Sequence, residues 1–294
     1  MVSILCQEEK MKIHALTLSW EGIEDLKKMR LGLCQNMAIL YNKEGKLMPG
    51  CEVAEWHIRD NGSKDGTVKE VNGWRYLSDS NVICTPYDIG HNRDSFATGV
   101  NYLFEKANPK DDDLVVLVNN DVEFPKHDSI LKMHRLMKKT KAAVVGVRLL
   151  YTGTDKLQHA GVIFGPRYGN MPYHFRHGEK SDSNAKKNRY FQAVTAAVCL
   201  INPVSFRRVG GMDEKFDGWC FEDVDLFLRI GQDEKIAYCG DTFIYHEESA
   251  SLKKNPVNKL FMNKSVRYFR EKWSGKYDLD HEKYLADSKY NEIK

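Results

Sequence analysis

The segment from Leu114 to Val118, LVVLV, constrains this chain more than any other stretch. It is a short, mostly β-branched apolar run, preceded by Asp111 to Asp113 and followed by Asn119-Asn120-Asp121. A run of this kind, without polar alternation, reads as a strand covered on both faces, as found at the centre of a parallel sheet. In open α/β sheets ligands bind beyond the carboxyl ends of the strands. Asn119-Asn120-Asp121 stands at such an end, so its carboxylate is a candidate metal ligand. The alternative is that Asn and Asp merely open a turn.

The flanking sequence supplies the rest of such a sheet. Lys12 to Ser19, Val53 to Arg59, Val82 to Thr85 and Ala142 to Leu150 read as further strands. Between them, Ile23, Leu26, Leu33, Met37 and Leu40 recur at helical spacing. So do Phe96, Val100, Leu103, Phe104 and Ala107, and then Ile130, Met133, Leu136 and Met137. Strand and helix steps joined by short connections predict an α/β fold with a Rossmann-like, mostly parallel sheet and flanking helices. Past residue 150 the pattern changes. Leu157 to Phe164 and Phe191 to Ile201 read as strands, and the Gly-, His- and Lys-rich segment 165–188 between them shows no period. A segment that long without structure is expected to be a mobile or functional loop. A short helix over Glu222 to Ile230, brief strands at Ile236 to Cys239 and Thr242 to Tyr245, and a helix over Val257 to Trp273 follow. The polar tail, 276–294, is expected to wrap the surface or fray.

Composition narrows the class. With 294 residues, 42% of them hydrophobic, the chain can bury a real core. No stretch approaches the roughly 18 consecutive apolar residues of a membrane span, and the amino terminus lacks a basic region followed by a long apolar one, so a cytoplasmic protein is expected. The 7 cysteines form no C-x-x-C pair and read as reduced thiols. A formal net charge of +3 gives no global field for nucleic acid, and basic clusters such as Lys138, Lys139 and Lys141 read as solvated faces.

Several motifs then occur in one order. They are DNGSKDGT at 60–67, NND at 119–121, LQHAGVIFG at 157–165, FQAVTAAVCLINPVSFRRVGGMDEKF at 191–216, FEDVDLFLRI at 221–230 and Tyr245-His246. Together they make the chain resemble a family 2 glycosyltransferase with the GT-A fold. The resemblance covers about residues 12–275. It implies a single domain over 1–275, with a nucleotide-sugar-binding half at 12–150, a smaller acceptor-side, catalytic half at 151–255 and a C-terminal helix at 256–275.

The resemblance also assigns roles, each with a chemical reason. Asp60, leaving the second strand, would accept a hydrogen bond from the nucleotide base, besides capping its turn. Asn119-Asn120-Asp121 resembles the D-x-D motif with Asn in first place, which makes Asn119 and Asn120 donor-binding and Asp121 a metal ligand. A diphosphate leaving group gathers charge that Mn2+ or Mg2+ neutralises, and such cations take oxygen ligands. Glu222-Asp223 resembles the pair whose Asp is the general base of inverting members, because an acceptor hydroxyl is a poor nucleophile until its proton has a destination. Glu222 and Asp225 are read as acceptor-binding, with capping of the helix as the alternative. His246 would complete the metal shell. Gln158-His159 resembles a recurrent family pair to which no role attaches. The family's Asn-x-Gly-Phe-Ala segment appears here as His91 to Ala97 without its glycine. Asn92 and Arg93 are assigned to the donor pocket there, Arg93 through a guanidinium that suits a diphosphate.

The expected activity is therefore inverting, metal-dependent transfer of a sugar from a nucleotide diphosphate donor to a hydroxyl. A glycan or lipid-linked glycan is the first expectation for the acceptor, with a protein or a modified nucleic-acid base as alternatives. A nucleotidyltransferase would need a Gly-rich basic loop near the first strand, which Thr17 to Gly22 is not. A non-catalytic carbohydrate-binding relative would be expected to lose Asp121 or Asp223, and both are present.

Overall fold

The computed structural model describes residues 11–38, 51–74, 82–88, 94–167, 169–217, 220–247 and 258–294. The chain opens with β1 (Met11–Ser19), α1 (Ile23–Ala38), β2 (Cys51–Asp60), α2 (Thr67–Asn72) and β3 (Val82–Asp88). It continues through α3 (Phe96–Ala107), β4 (Leu114–Val118), β5 (Val122–Glu123), α4 (Ser129–Thr140) and β6 (Val144–Tyr151). Short strands follow: β7 (Leu157–His159), β8 (Val162–Phe164), β9 (Pro172–His174), β10 (Arg189–Phe191) and β11 (Val198–Ile201). The last elements are α5 (Pro203–Arg208), α6 (Glu222–Ile230), β12 (Ile236–His246), α7 (Asn258–Trp273) and α8 (His281–Ala286).

The main sheet runs β10-β12-β6-β11-β4-β1-β2-β3, with β5 added to β12 and β7 to β6. β4 is central and wholly buried, and its pleat divides it between two cores. Val115 and Leu117 join Val100, Leu103 and Phe104 of α3 on one face. Leu114, Val116 and Val118 join Leu26 and Leu33 of α1 and Ile130 and Met133 of α4 on the other. Each such side chain removed from water contributes about 1.5–3 kcal/mol, which is why this run fixes the fold.

The surroundings of β4 are less uniform than a parallel sheet. β4 is parallel to β1 but antiparallel to β11, which returns from the second half of the chain and inserts beside it. Phe191 to Ile201 is not one strand: β10 and β11 lie at different places in the sheet, separated by 192–197. Leu157 to Phe164 also divides, at Gly161, whose φ of +110° is open to glycine and rarely to other residues. Conversely, Ile236 to His246 is a single strand with a register shift between Cys239 and Phe243.

Segment 165–188 is not structureless. β9 pairs with β8, and the Arg176 guanidinium bridges Glu179 and Asp182. Nor does the tail fray. Tyr284 of α8 is buried and stacks on Phe191 at 4.6 Å between ring centroids, and Arg189 donates to the carbonyl of Tyr290 at 2.7 Å. Among the described residues no helix is long and apolar enough to cross a membrane. Cys84, Cys199 and Cys239 are buried free thiols. Leu40, Asn92, Arg93 and Val257 lie outside the described residues, so the donor-pocket assignment of Asn92 and Arg93 is not addressed by the fold.

Candidate active site

A cavity of about 440 Å³ opens at the carboxyl ends of β1 and β4, as the topology of an α/β sheet requires. Its wall includes Asn119, Asn120, Asp121, His246, Glu222 and Asp223, so most of the residues singled out in the sequence meet in one place.

Strand pairing brings the first group together. β5 continues directly from Asn119-Asn120-Asp121 and pairs with the end of β12, placing Val122 opposite His246. The Glu247 amide donates to the Asp121 carbonyl at 3.0 Å and locks that register. His246 Nε2 consequently stands 3.1 Å from Asp121 Oδ1. Although buried, Asp121 Oδ1 has no hydrogen-bond partner among the described residues, so this contact is one of proximity and not a hydrogen bond. On the far side of the ring, His246 Nδ1 donates to Gln158 Oε1 at 2.9 Å. That bond keeps the proton on Nδ1 and turns the Nε2 lone pair toward the Asp121 carboxylate. Asn119 Nδ2 lies 3.5 Å from the same Nε2, and with the proton on Nδ1 the imidazole lone pair and the Asp121 carboxylate converge as the donor set a divalent cation of manganese type accepts. The residues fit a metal ion. Gln158, whose role was not legible from its motif, is what orients the histidine.

The second group is fixed by the short stretch Thr195 to Ala197. The Asn119 amide donates to the Ala197 carbonyl at 2.8 Å, and the Ala196 amide donates to Asp223 Oδ2 at 3.0 Å. One piece of backbone therefore sets the distance between the metal-type wall and the acidic wall. Asp223 lies in the first turn of α6, two residues after Phe221, a non-glycine residue with φ of +70°. Such a backbone is costly and is found where surrounding structure imposes it, often at functional sites. Burial raises the pKa of Asp223 above the usual range, opposed by the amides of Ala196 and Val224 and the hydroxyl of Thr195. Glu222 is pushed up to about 8, first by burial and then by the neighbouring charge of Asp223, and its Oε2 has no hydrogen-bond partner among the described residues. A carboxyl pair with raised pKa values in a cleft is suited to holding and passing a proton.

Two assigned residues lie elsewhere. Asp225 is 0% exposed and does not line the cavity. It accepts from Trp273 Nε1 at 2.7 Å and from Arg229 Nε at 2.8 Å, and Lys272 Nζ lies 2.6 Å away. Its place on the helix sends it to the α7 side, so it joins α6 to α7 and does not meet an acceptor in the cavity. Asp60 is also buried, and its oxygens accept from the amides of Gly62 and Ser63 and from the Ser63 hydroxyl. Asp60 holds its own turn, while the adjacent Asn61 reaches the cavity wall. Sequence reasoning missed Tyr173 and His174, which reach the wall from β9, because a three-residue strand carries no period.

The model of "Glycosyltransferase like family 2" matches residues 58–272, more than half of the chain. The chain belongs to that family. It is 30% identical over 168 residues to the uncharacterized protein y4gI of Sinorhizobium fredii, covering 55% of this chain and 18% of y4gI. It is 27% identical over 177 residues to the rhamnosyltransferase WbbL of Escherichia coli, covering 59% of this chain and 64% of WbbL. The chain thus spans under a fifth of y4gI and under two thirds of WbbL. In structure it resembles the mannosyltransferase PcManGT of Pyrobaculum calidifontis, solved with GDP-Man and Mn2+. The TM-score is 0.54 at 11% identity, covering 93% of this chain and 78% of the other. The fold is GT-A.

Proposed function

We propose that the chain transfers a sugar from a nucleotide diphosphate donor to a hydroxyl acceptor, with inversion and with a divalent cation. The observation that carries this reading is Asp121 Oδ1, without a hydrogen-bond partner among the described residues, beside His246 Nε2 and in the same cavity as the Glu222-Asp223 pair. Bound there, Mn2+ or Mg2+ would neutralise charge on the departing diphosphate. Asn119 and Asn120, on the same wall, are suited to the donor's polar groups.

At the other wall Asp223 accepts the acceptor's hydroxyl proton while the oxygen attacks the anomeric carbon. The bond from that carbon to the phosphate oxygen breaks, and the nucleoside diphosphate leaves with the electron pair. One displacement aided by one base inverts the centre. Base catalysis of this type contributes about 10² to 10⁴-fold. Glu222, protonated near neutral pH, lines the same wall beside Asp223 without adding a second negative charge. The O-antigen biosynthesis protein RfbC of Myxococcus xanthus, 28% identical over 151 residues that cover 49% of this chain and 12% of RfbC, favours a glycan as the acceptor.

The test is a thermal-shift series with UDP-, GDP- and dTDP-sugars, each with and without Mn2+, since a ligand that binds the folded state raises the midpoint by mass action. At least one nucleotide sugar should stabilise the chain more with the cation than without. If none does, and no transfer is detected, the reading fails.

A further inference from the structure

A second convergence of metal-type donors lies outside the cavity. His14 on β1 pairs with Glu55 on β2, and His57 follows two residues later on the same face. This is the α3 face: in the same alternation, Leu18 packs against Gly99 and the Arg59 guanidinium lies 4.5 Å from the Tyr102 ring. His14 is upstream of Ser19 by a span of roughly 16 Å at about 3.3 Å per residue, which sets the group well back from the carboxyl ends of the strands.

The donor atoms form a nearly regular triangle. His14 Nδ1 is 3.3 Å from His57 Nε2 and 3.4 Å from Glu55 Oε2, and His57 Nε2 is 3.3 Å from Glu55 Oε2. A tetrahedral ion with ligands at about 2.0–2.1 Å needs its ligands about 3.3–3.4 Å apart. The outer nitrogens are engaged as metal-binding imidazoles require. His14 Nε2 faces Asp113 Oδ2 at 3.2 Å, and His57 Nδ1 faces the Tyr87 hydroxyl at 3.1 Å. Asp113 already accepts from the amides of Lys12 and Lys110 at 2.7 Å each, so it is arranged as an acceptor and His14 donates to it. That leaves His14 Nδ1 a bare lone pair directed at the other two atoms. Both imidazoles are buried, whereas the Glu55 side chain is 20% exposed and its other oxygen, Oε1, lies 3.2 Å from Lys12 Nζ, so a water reaching the group from that side would be the fourth ligand.

We propose that His14, Glu55 and His57 bind Zn2+ as a structural ion, tying β1 to β2 beneath α3, with Asp113 and Tyr87 orienting the imidazoles. Two imidazoles with one carboxylate select zinc over magnesium or calcium, which prefer all-oxygen shells. The inference is independent of the cavity's function.

The test uses the full chain carrying Asp121→Ala, so that the cavity pair contributes nothing. After stripping with a chelator, Co2+ should bind one equivalent with the intense visible absorption of a tetrahedral site, and Zn2+ should displace it. The unfolding midpoint should rise with Zn2+ concentration. His57→Gln should weaken binding by 100-fold or more, and Glu55→Gln provides a second variant at the more exposed ligand. X-ray absorption of the zinc-loaded chain, with no ligand substituted, should show two imidazole nitrogens. Absence of the absorption, a midpoint indifferent to Zn2+, or imidazole resonances showing a proton shared by His57, Glu55 and His14 in excess Zn2+ would overturn the proposal.

Discussion

Gln158→Ala separates a metal-holding His246 from one that is only hydrogen-bonded. Gln158 is 4% exposed, and its Oε1 receives the Nδ1 proton of His246 at 2.9 Å. Removing it leaves a buried donor without a partner and frees the ring to move its proton to Nε2, the atom 3.1 Å from Asp121 Oδ1. Loss of such an outer partner typically lowers metal affinity about 10- to 100-fold, which corresponds to about 1.4–2.7 kcal/mol. The unsatisfied donor also costs stability, about 1–3 kcal/mol, so affinity has to be read well below the variant's midpoint. The assay is calorimetric titration with Mn2+ in the presence of the stabilising nucleotide, alongside Mn2+ dependence of transfer. Gln158→Glu restores an acceptor at the same position and should recover most of the affinity. Unchanged Mn2+ affinity in a folded Gln158→Ala protein would refute the reasoning, because His246 would then not be a ligand oriented by Gln158.

Glu222 gives a pH prediction. Its carboxyl moves from an ordinary 4.5 to about 8 on folding, so between those values the folded state holds a proton that the unfolded state has released. Stability therefore falls as pH rises from about 4.5 and levels off above about 8. Glu222→Gln should flatten that part of the profile, measured by urea unfolding at stepped pH, and an equally steep decline would show that another group is responsible. Asp225→Ala should destabilise by about 3–5 kcal/mol, because Arg229 would lose its carboxylate and Trp273 Nε1 its buried acceptor, while Lys272 keeps Asp213. An Asp225→Ala protein of normal stability but with raised acceptor KM would restore its reading as an acceptor ligand.

What the sequence made legible was what leaves a local trace. LVVLV announced a doubly buried strand because its neighbours are sharply polar, and α6 announced itself by acids in its first turn. Asp121, His246 and Asp223 stood out because each lies at or beside the end of an element, but the approach of Asp121 to His246 depends on the pairing of Val122 with His246, and the place of Asp223 on the Ala196 amide, and no local period encodes either. The place of Asp225 away from the cavity was not legible because helix spacing gives a residue's face without saying what packs there; the partner, Trp273, is remote in sequence. The insertion of β11 beside β4 was hidden for the same reason, since four apolar residues do not reveal strand direction. α5 was missed despite a usable signal: Asn202 accepts from the Val204 and Ser205 amides, and Pro203 occupies the first turn.

The central claim is that Asp223 takes a proton from the acceptor. Asp223→Asn keeps the shape of the side chain and an oxygen to accept from the Ala196 amide, but not the basicity. Single-turnover transfer should fall by about 10² or more with donor affinity little changed. The product of the unmodified chain should carry the anomeric configuration opposite to the donor's. Near wild-type transfer by Asp223→Asn would remove that residue from the chemistry, and a retained configuration would exclude the single displacement.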